Sequence, residues 1–283
     1  MKRKNIIAFS VALMAIGAFT SCSDEFLQDK KNYDYVDAST YNTFSGAKAR
    51  VDDIYAWCLP NTSSEPSWKY NSPGAADLQS KSTEEYSGFG SFVDPDAPMT
   101  SQSGNNTVPD YFHNSGNNIQ ASVWGRIRNC NDVIYGIENS TLSEEEKNEL
   151  LGQVYFFRAW FHFELMQYFG GLPYIDSVLS SSEPLRNPRL SYQECADRAA
   201  EDFRRAADLL PINWDNTNAG KVTYGNNQLR INKIMALGYL GKNYLWAGSP
   251  LMNYASQGGT SYNADYCKKA ATAFAELLDL VEK

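Results

Sequence analysis

The chain has 283 residues, with 33 acidic against 25 basic side chains and a formal charge of −8. Such acidity argues against nucleic acid or an anionic lipid surface as a partner. The length allows one large domain or two small ones, and 18 Tyr, 14 Phe and 6 Trp exceed what a helical core needs.

Lys2, Arg3 and Lys4 open the chain, and Ile6 to Phe19 is an apolar run without charge. The run is shorter than the about 20 residues that a spanning helix requires, so it reads as a secretory leader. Thr20 and Ser21 follow, then Cys22. Small residues leading into a cysteine describe a lipobox, in which cleavage falls just before a cysteine that carries acyl chains. Phe19 stands where an aliphatic residue is usual. A plain secretory leader with a chance cysteine is the alternative, but a cysteine at that point is otherwise rare. The expected organisation is a leader over 1–21 and a mature domain over 22–283, anchored to the membrane through acylated Cys22. Without the three leader cations the mature part carries −11.

The predicted elements are helical. Ala47, Val51, Ile54, Tyr55 and Cys58 share a face, so 45–58 is a helix that ends before Pro60. Ile119, Val123, Ile127, Cys130, Ile134 and Ile137 mark the next, over about 118–138. Ser143 and Glu146 form a capping box opening a long helix, with Leu150, Val154, Phe157, Phe161 and Leu165 on its apolar face. Gly170, Gly171 and Pro173 end it. Ser191 and Glu194 repeat the box for 192–210, stopped by Pro211. Two more helices cover about 230–247 and 264–282, the last with Cys267, Ala270, Ala271, Phe274, Leu277, Leu278 and Val281 in register. No alternating strand pattern is evident. Cys58, Cys130, Cys195 and Cys267 fall within helical patterns and read as buried free thiols, although four cysteines also allow three disulfide pairings.

Leu151, Gly152 and Tyr155 share L-G-x-x-Y with Leu240, Gly241 and Tyr244. This is the first-helix signature of a tetratricopeptide repeat, where the glycine admits a neighbouring backbone. Ala199, Phe203, Ala206 and Pro211 fit the second-helix signature, and Ala270, Phe274 and Leu277 follow it with Leu for the second Ala. The predicted fold is mainly α, a tetratricopeptide-like array with long loop insertions. Segments 170–190 and 248–263 separate helices that a short turn usually joins.

The stretch GQVYFFRAWFHFELMQYFGGLPYID, 152–176, resembles the SusD/RagB family, with Arg158, Ala159, Trp160, Phe163, Leu165, Phe169, Gly170, Gly171 and Pro173 in the family's places and His162 where an aromatic is more common. WGRIRNCNDVIYGIE, YQECADRAAEDFRRAADLLP and INKIMALGYLGKNYLWAGSP are similar to three further family helices. The resemblance implies an outer-membrane, surface-facing lipoprotein. It would capture a glycan, or in the RagB branch a peptide, for import through a SusC-like TonB-dependent transporter, with no cofactor and no catalysis. Ser23, Asp24 and Glu25 resemble the acidic signal that sends such lipoproteins to the outer face. Family members commonly run to about twice this length, so the chain is expected to correspond to their N-terminal half.

The stretch 59–117 is rich in Ser, Asn, Gly and Pro and dotted with aromatics. Trp68, Tyr70, Asn71 and Asp77 combine rings that stack on sugar C–H faces with groups that bind hydroxyls, and the family's corresponding loops carry ligand contacts. These four are the candidate binding residues; the alternative is that the aromatics fasten the loop to the helices. The aromatic run from Tyr155 to Phe169 has a helical period and reads as core. Arg158, four residues before His162, is expected to snorkel or to pair with a carboxylate. His113 and His162 are the only histidines, no G-x-S-x-G occurs, and no Cys/His spacing suits a metal. Asp94 and Asp96 lack the spacing of a calcium loop. A tetratricopeptide scaffold binding only protein partners remains the second reading. A glycoside hydrolase is the third, with nothing to place a carboxylate pair across a glycosidic bond.

Overall fold

The computed structural model describes residues 38–58, 123–179 and 186–282. Tyr41–Lys283 form one compact unit, to which the following description applies. Its helices are α1 (Phe44–Cys58), α2 (Val123–Glu138), α3 (Glu144–Phe169), α4 (Tyr192–Leu209), α5 (Asn218–Val222), α6 (Lys233–Ala247), α7 (Pro250–Ala255) and α8 (Ala264–Val281). There is no strand among the described residues. None of their helices is long and apolar enough to cross a membrane.

Both predicted capping boxes are present. Ser143 and Glu146 open α3, and Ser191 and Glu194 open α4, each serine oxygen accepting from the glutamate N–H while the carboxylate accepts from the serine N–H. Gly170, at φ 71°, ends α3 in a backbone region that suits glycine. Arg189 then donates to the carbonyls of Phe169 and Gly171, supplying partners at a helix end that would otherwise lack them.

Successive helices run antiparallel. Asn131 meets Arg158 across α2 and α3, Arg158 meets Asp202 across α3 and α4, and Asn243 donates to the Ala196 carbonyl across α6 and α4. On α8, Phe274 faces Gly241 and Cys267 faces Gly248 of the α6 end. Two helical hairpins, α3 with α4 and α6 with α8, therefore stack through α4 and α6, the tetratricopeptide-like order. The core between them is aromatic. Phe156 contacts Phe203 and Tyr239 edge-on at 5.6 and 5.3 Å, and Phe163 contacts Trp246 at 6.0 Å.

Four expectations need correction. The long α3 is buried on every side from Glu149 to Met166, because α1 and α2 cover the flank that α4 leaves open. On α8, Ala271, Leu278 and Val281 share the predicted face yet are exposed, because the period defines a face without supplying a neighbour to cover it. Cys130 and Cys195 are buried free thiols as expected, whereas Cys267 is only half-buried, at the α8 start beside Gly248. The link 248–263 is also not a plain loop, since it contains α7, capped by Ser249 with Pro250 in its first turn.

Candidate functional site

The most concentrated chemistry in the helical unit lies around Arg158. Its Nε and Nη2 donate to the two carboxylate oxygens of Asp202 at 2.7 and 2.8 Å, and its Nη1 donates to Asn131 Oδ1 at 2.9 Å and the Asp176 carbonyl at 2.8 Å. Asn131 Nδ2 donates onward to the carbonyls of Ile175 and Ser177. Burial opposes the charges of both ions, pushing the Asp202 carboxyl up; the two-pronged grip pulls it back and raises Arg158 above the ordinary arginine value. The carboxylate pairing expected for Arg158 is therefore present, inside the fold.

His162 completes the cluster. Burial lowers its pKa to about 3, so the ring is neutral. Ile175 N–H donates to Nε2 at 3.2 Å, which leaves the proton on Nδ1, bonded to the Arg158 carbonyl at 2.8 Å. The Tyr174 ring stacks on the imidazole at 3.7 Å between centroids. Asn131, Arg158 and His162 fasten the 172–177 segment to α2 and α3, and Arg158 ties it on to α4 through Asp202. The cluster is a structural clasp, with both imidazole nitrogens already bonded within the fold.

The antiparallel order sorts the connections. The N-terminal end of α2, the link 170–191 and the link 248–263 all lie at one end of the helices. The turn 139–143 and the link 210–232 lie at the other. The link 248–263 is pinned by Asn253, whose Nδ2 donates to the carbonyls of Gly259 and Ser261 at 3.0 and 2.9 Å. Asn253 Oδ1 accepts from Gln193 Nε2 at 3.2 Å. A Cβ on Gly258 would collide with Asn253, so only glycine fits. A shallow, open depression lined by Asn263, Asp265, Tyr266, Lys268, Lys269 and Thr272 adjoins this link. In it Tyr266 Oη donates to Asp197 at 2.7 Å, and Lys269 Nζ sits 4.6 Å from the Tyr266 ring centre. Asn253 could have been noticed in the sequence only as one more Asn in a Gly- and Ser-rich stretch.

Cys22, Trp68, Tyr70, Asn71 and Asp77 lie outside the described residues, as do His113, Asp94 and Asp96. The segment that holds Trp68 to Asp77 departs from Cys58 and rejoins at Val123, the latter at the loop end described above. Among the described residues no group of three or more His, Cys, Asp or Glu is arranged to hold a metal.

A family profile described as SusD-like, starch-binding and associating with the outer membrane matches residues 26–245. No curated protein matches the chain. Among solved structures, a SusD-like protein of Bacteroides fragilis aligns at 24% identity and a TM-score of 0.55, over 80% of this chain and 39% of its own. A SusD-like carbohydrate-binding protein of the same species aligns at 20% identity and 0.56, over 86% and 41%. A SusD homologue of Bacteroides thetaiotaomicron aligns at 19% identity and 0.57, over 88% and 43%. The chain thus spans about two-fifths of the length of these relatives and shares their fold. With the profile covering most of its residues and the helical hairpins in the matching order, the chain belongs to the SusD-like family.

Proposed function

We propose that the chain is a surface nutrient-capture lipoprotein that binds glycans for import through a SusC-like TonB-dependent transporter. The observation that carries this reading is the sorting of connections: the segment with Trp68, Tyr70, Asn71 and Asp77 rejoins the helices at Val123, at the same end as the links 170–191 and 248–263. Loops gathered at one end of a rigid scaffold are a common way to build a binding face. The family description, starch-binding and associating with the outer membrane, supports the ligand class and the location. The chain acts by binding and not by turnover, a reading that the starch-binding description of the family supports. Cys22 anchors it to the outer membrane, facing outward.

The experiment is calorimetric titration with a panel of oligosaccharides, with thermal melting in parallel. Trp68→Ala is expected to weaken glycan binding by about 1–2 kcal/mol and to leave melting unchanged. Lost stability with intact affinity would make Trp68 a packing residue. Binding of peptides with no glycan bound would move the chain to the peptide-capturing branch, and binding of neither would favour the protein-partner scaffold. Cys22→Ala is expected to abolish acylation and to move the protein from the membrane to the soluble fraction. Unchanged mass and partitioning would refute the anchor.

A further inference from the structure

The link 248–263 combines two properties that rarely coincide. Its backbone is held firmly: Asn253 bonds to Gly259, Ser261 and Gln193, Gly258 N–H donates to the Asn253 carbonyl, and Asn263 N–H donates to the Gly248 carbonyl. Yet Leu251, Tyr254 and Tyr262 stand 69%, 65% and 68% exposed. A segment this well tied down could have turned its large apolar side chains inward. Their outward display on a rigid frame suits a ligand surface, because little side-chain and loop freedom remains to be lost on binding.

The chemistry around them narrows the ligand. Tyrosine rings offer flat apolar faces. The exposed Gln257 and Thr260 and the depression with Asn263, Asp265 and Lys268 offer hydrogen-bonding groups of both signs. A ligand with apolar C–H faces and many hydroxyls meets both. The chain's net charge of −8 disfavours an acidic polymer. We propose that Tyr254 and Tyr262 form a second sugar-stacking contact, for a neutral oligosaccharide, at the same end of the helices as Val123, where the Trp68 segment rejoins them. This rests on the glycan-capture reading and adds to it a place, two residues and a charge class.

The test is titration of the whole chain with maltohexaose, cellohexaose and xylohexaose. Tyr254→Ala/Tyr262→Ala should weaken the best ligand of wild type by about fivefold or more, the size expected of lost ring stacking. Tyr254→Phe/Tyr262→Phe should keep the affinity, because the rings remain. Tyr224→Ala, which removes an equally exposed ring at the opposite end, should change nothing. Amide exchange over 251–262 in wild type should slow on adding the sugar, a readout that does not depend on how the variants fold. Wild-type affinity in the alanine pair together with unaltered exchange would overturn the second contact while leaving glycan capture standing. No binding by wild type to any of the three sugars would overturn both.

Discussion

The two helical hairpins carry the same L-G-x-x-Y motif and are built differently. In α3 with α4 the first helix is enclosed, and its charges and hydrogen-bonding groups are paired inside the fold through Arg158 and Asp202. In α6 with α8 the outer helix leaves Leu278 and Val281 exposed, and ion pairs to its neighbour lie at the surface, as Arg204 with Glu276 does. The glycines differ too. A Cβ on Gly241 would lie 2.5 Å from the Phe274 ring, the aromatic of the second-helix motif, whereas one on Gly152 would lie 2.8 Å from Leu210 and 3.2 Å from Leu209, well past Phe203. The motif specifies that a neighbour comes close, and the connecting segments decide which neighbour it is.

The sharpest way to break the contrast is to remove one charge from the buried pair and one from the surface pair. Arg158→Ala should cost about 3–5 kcal/mol in denaturant unfolding, because it leaves Asp202 buried and unpaired. Arg204→Ala, at a half-exposed pair, should cost about 0–1 kcal/mol. Equal losses would mean that the two pairs are equivalent despite their burial. Next in size are the glycines. Gly152→Leu and Gly241→Leu should each cost about 1–3 kcal/mol through overpacking. Gly152 should be the worse site, since Leu210 is buried and the half-exposed Phe274 can yield toward solvent. Midpoints equal to wild type for both would refute the close crossings.

The smallest effect concerns the capping boxes, which sharpen what the hairpins share. The backbone and side-chain hydrogen bonds from Ser191 hold the exposed Glu194 carboxyl below the ordinary carboxylate value of 4.5. The folded state therefore favours the carboxylate more than the unfolded state does. The resulting stability is full above pH 4.5 and fades as pH falls through the lower folded value. Thermal melts of Glu194→Gln against wild type should show a wild-type advantage at neutral pH that narrows in acid. An advantage that grows in acid would reverse the assignment.

Local signals in the sequence carried far. Ser143 with Glu146 and Ser191 with Glu194 located two helix starts because a capping box closes within four residues. Gly170 and Gly171 located the end of α3 for a similarly local reason. Long-range pairings were less legible. That Arg158 would seek a carboxylate followed from its apolar surroundings, but Asp202 is 44 residues away and nothing local selects it. The short α7 offers too few residues to show a period, and the uncovered face of α8 looks no different in sequence from a covered one. For the candidate site, Trp68, Tyr70, Asn71 and Asp77 rest on composition and family resemblance. Tyr254 and Tyr262 drew no notice because their meaning depends on Asn253 fixing the backbone around them.

The antiparallel order also divides the molecule into a part that tolerates change and a part that does not. The exposed stretch at Arg186 and Asn187 can lengthen, shorten or exchange residues without shifting the pairing of Arg158 with Asp202 or of Gly241 with Phe274, because those contacts are set between helices. The turn 139–143 has no such freedom, since Ser140 donates back to the Ile137 carbonyl of α2 and the Ser143 N–H donates forward to Glu146 of α3. A short tag placed between Arg186 and Asn187, both exposed, should leave the melting curve unchanged, whereas the same tag after Leu142 should lower it sharply. The freedom to change thus sits in exposed chain such as residues 186–187, and the contacts between helices that set the fold do not depend on it.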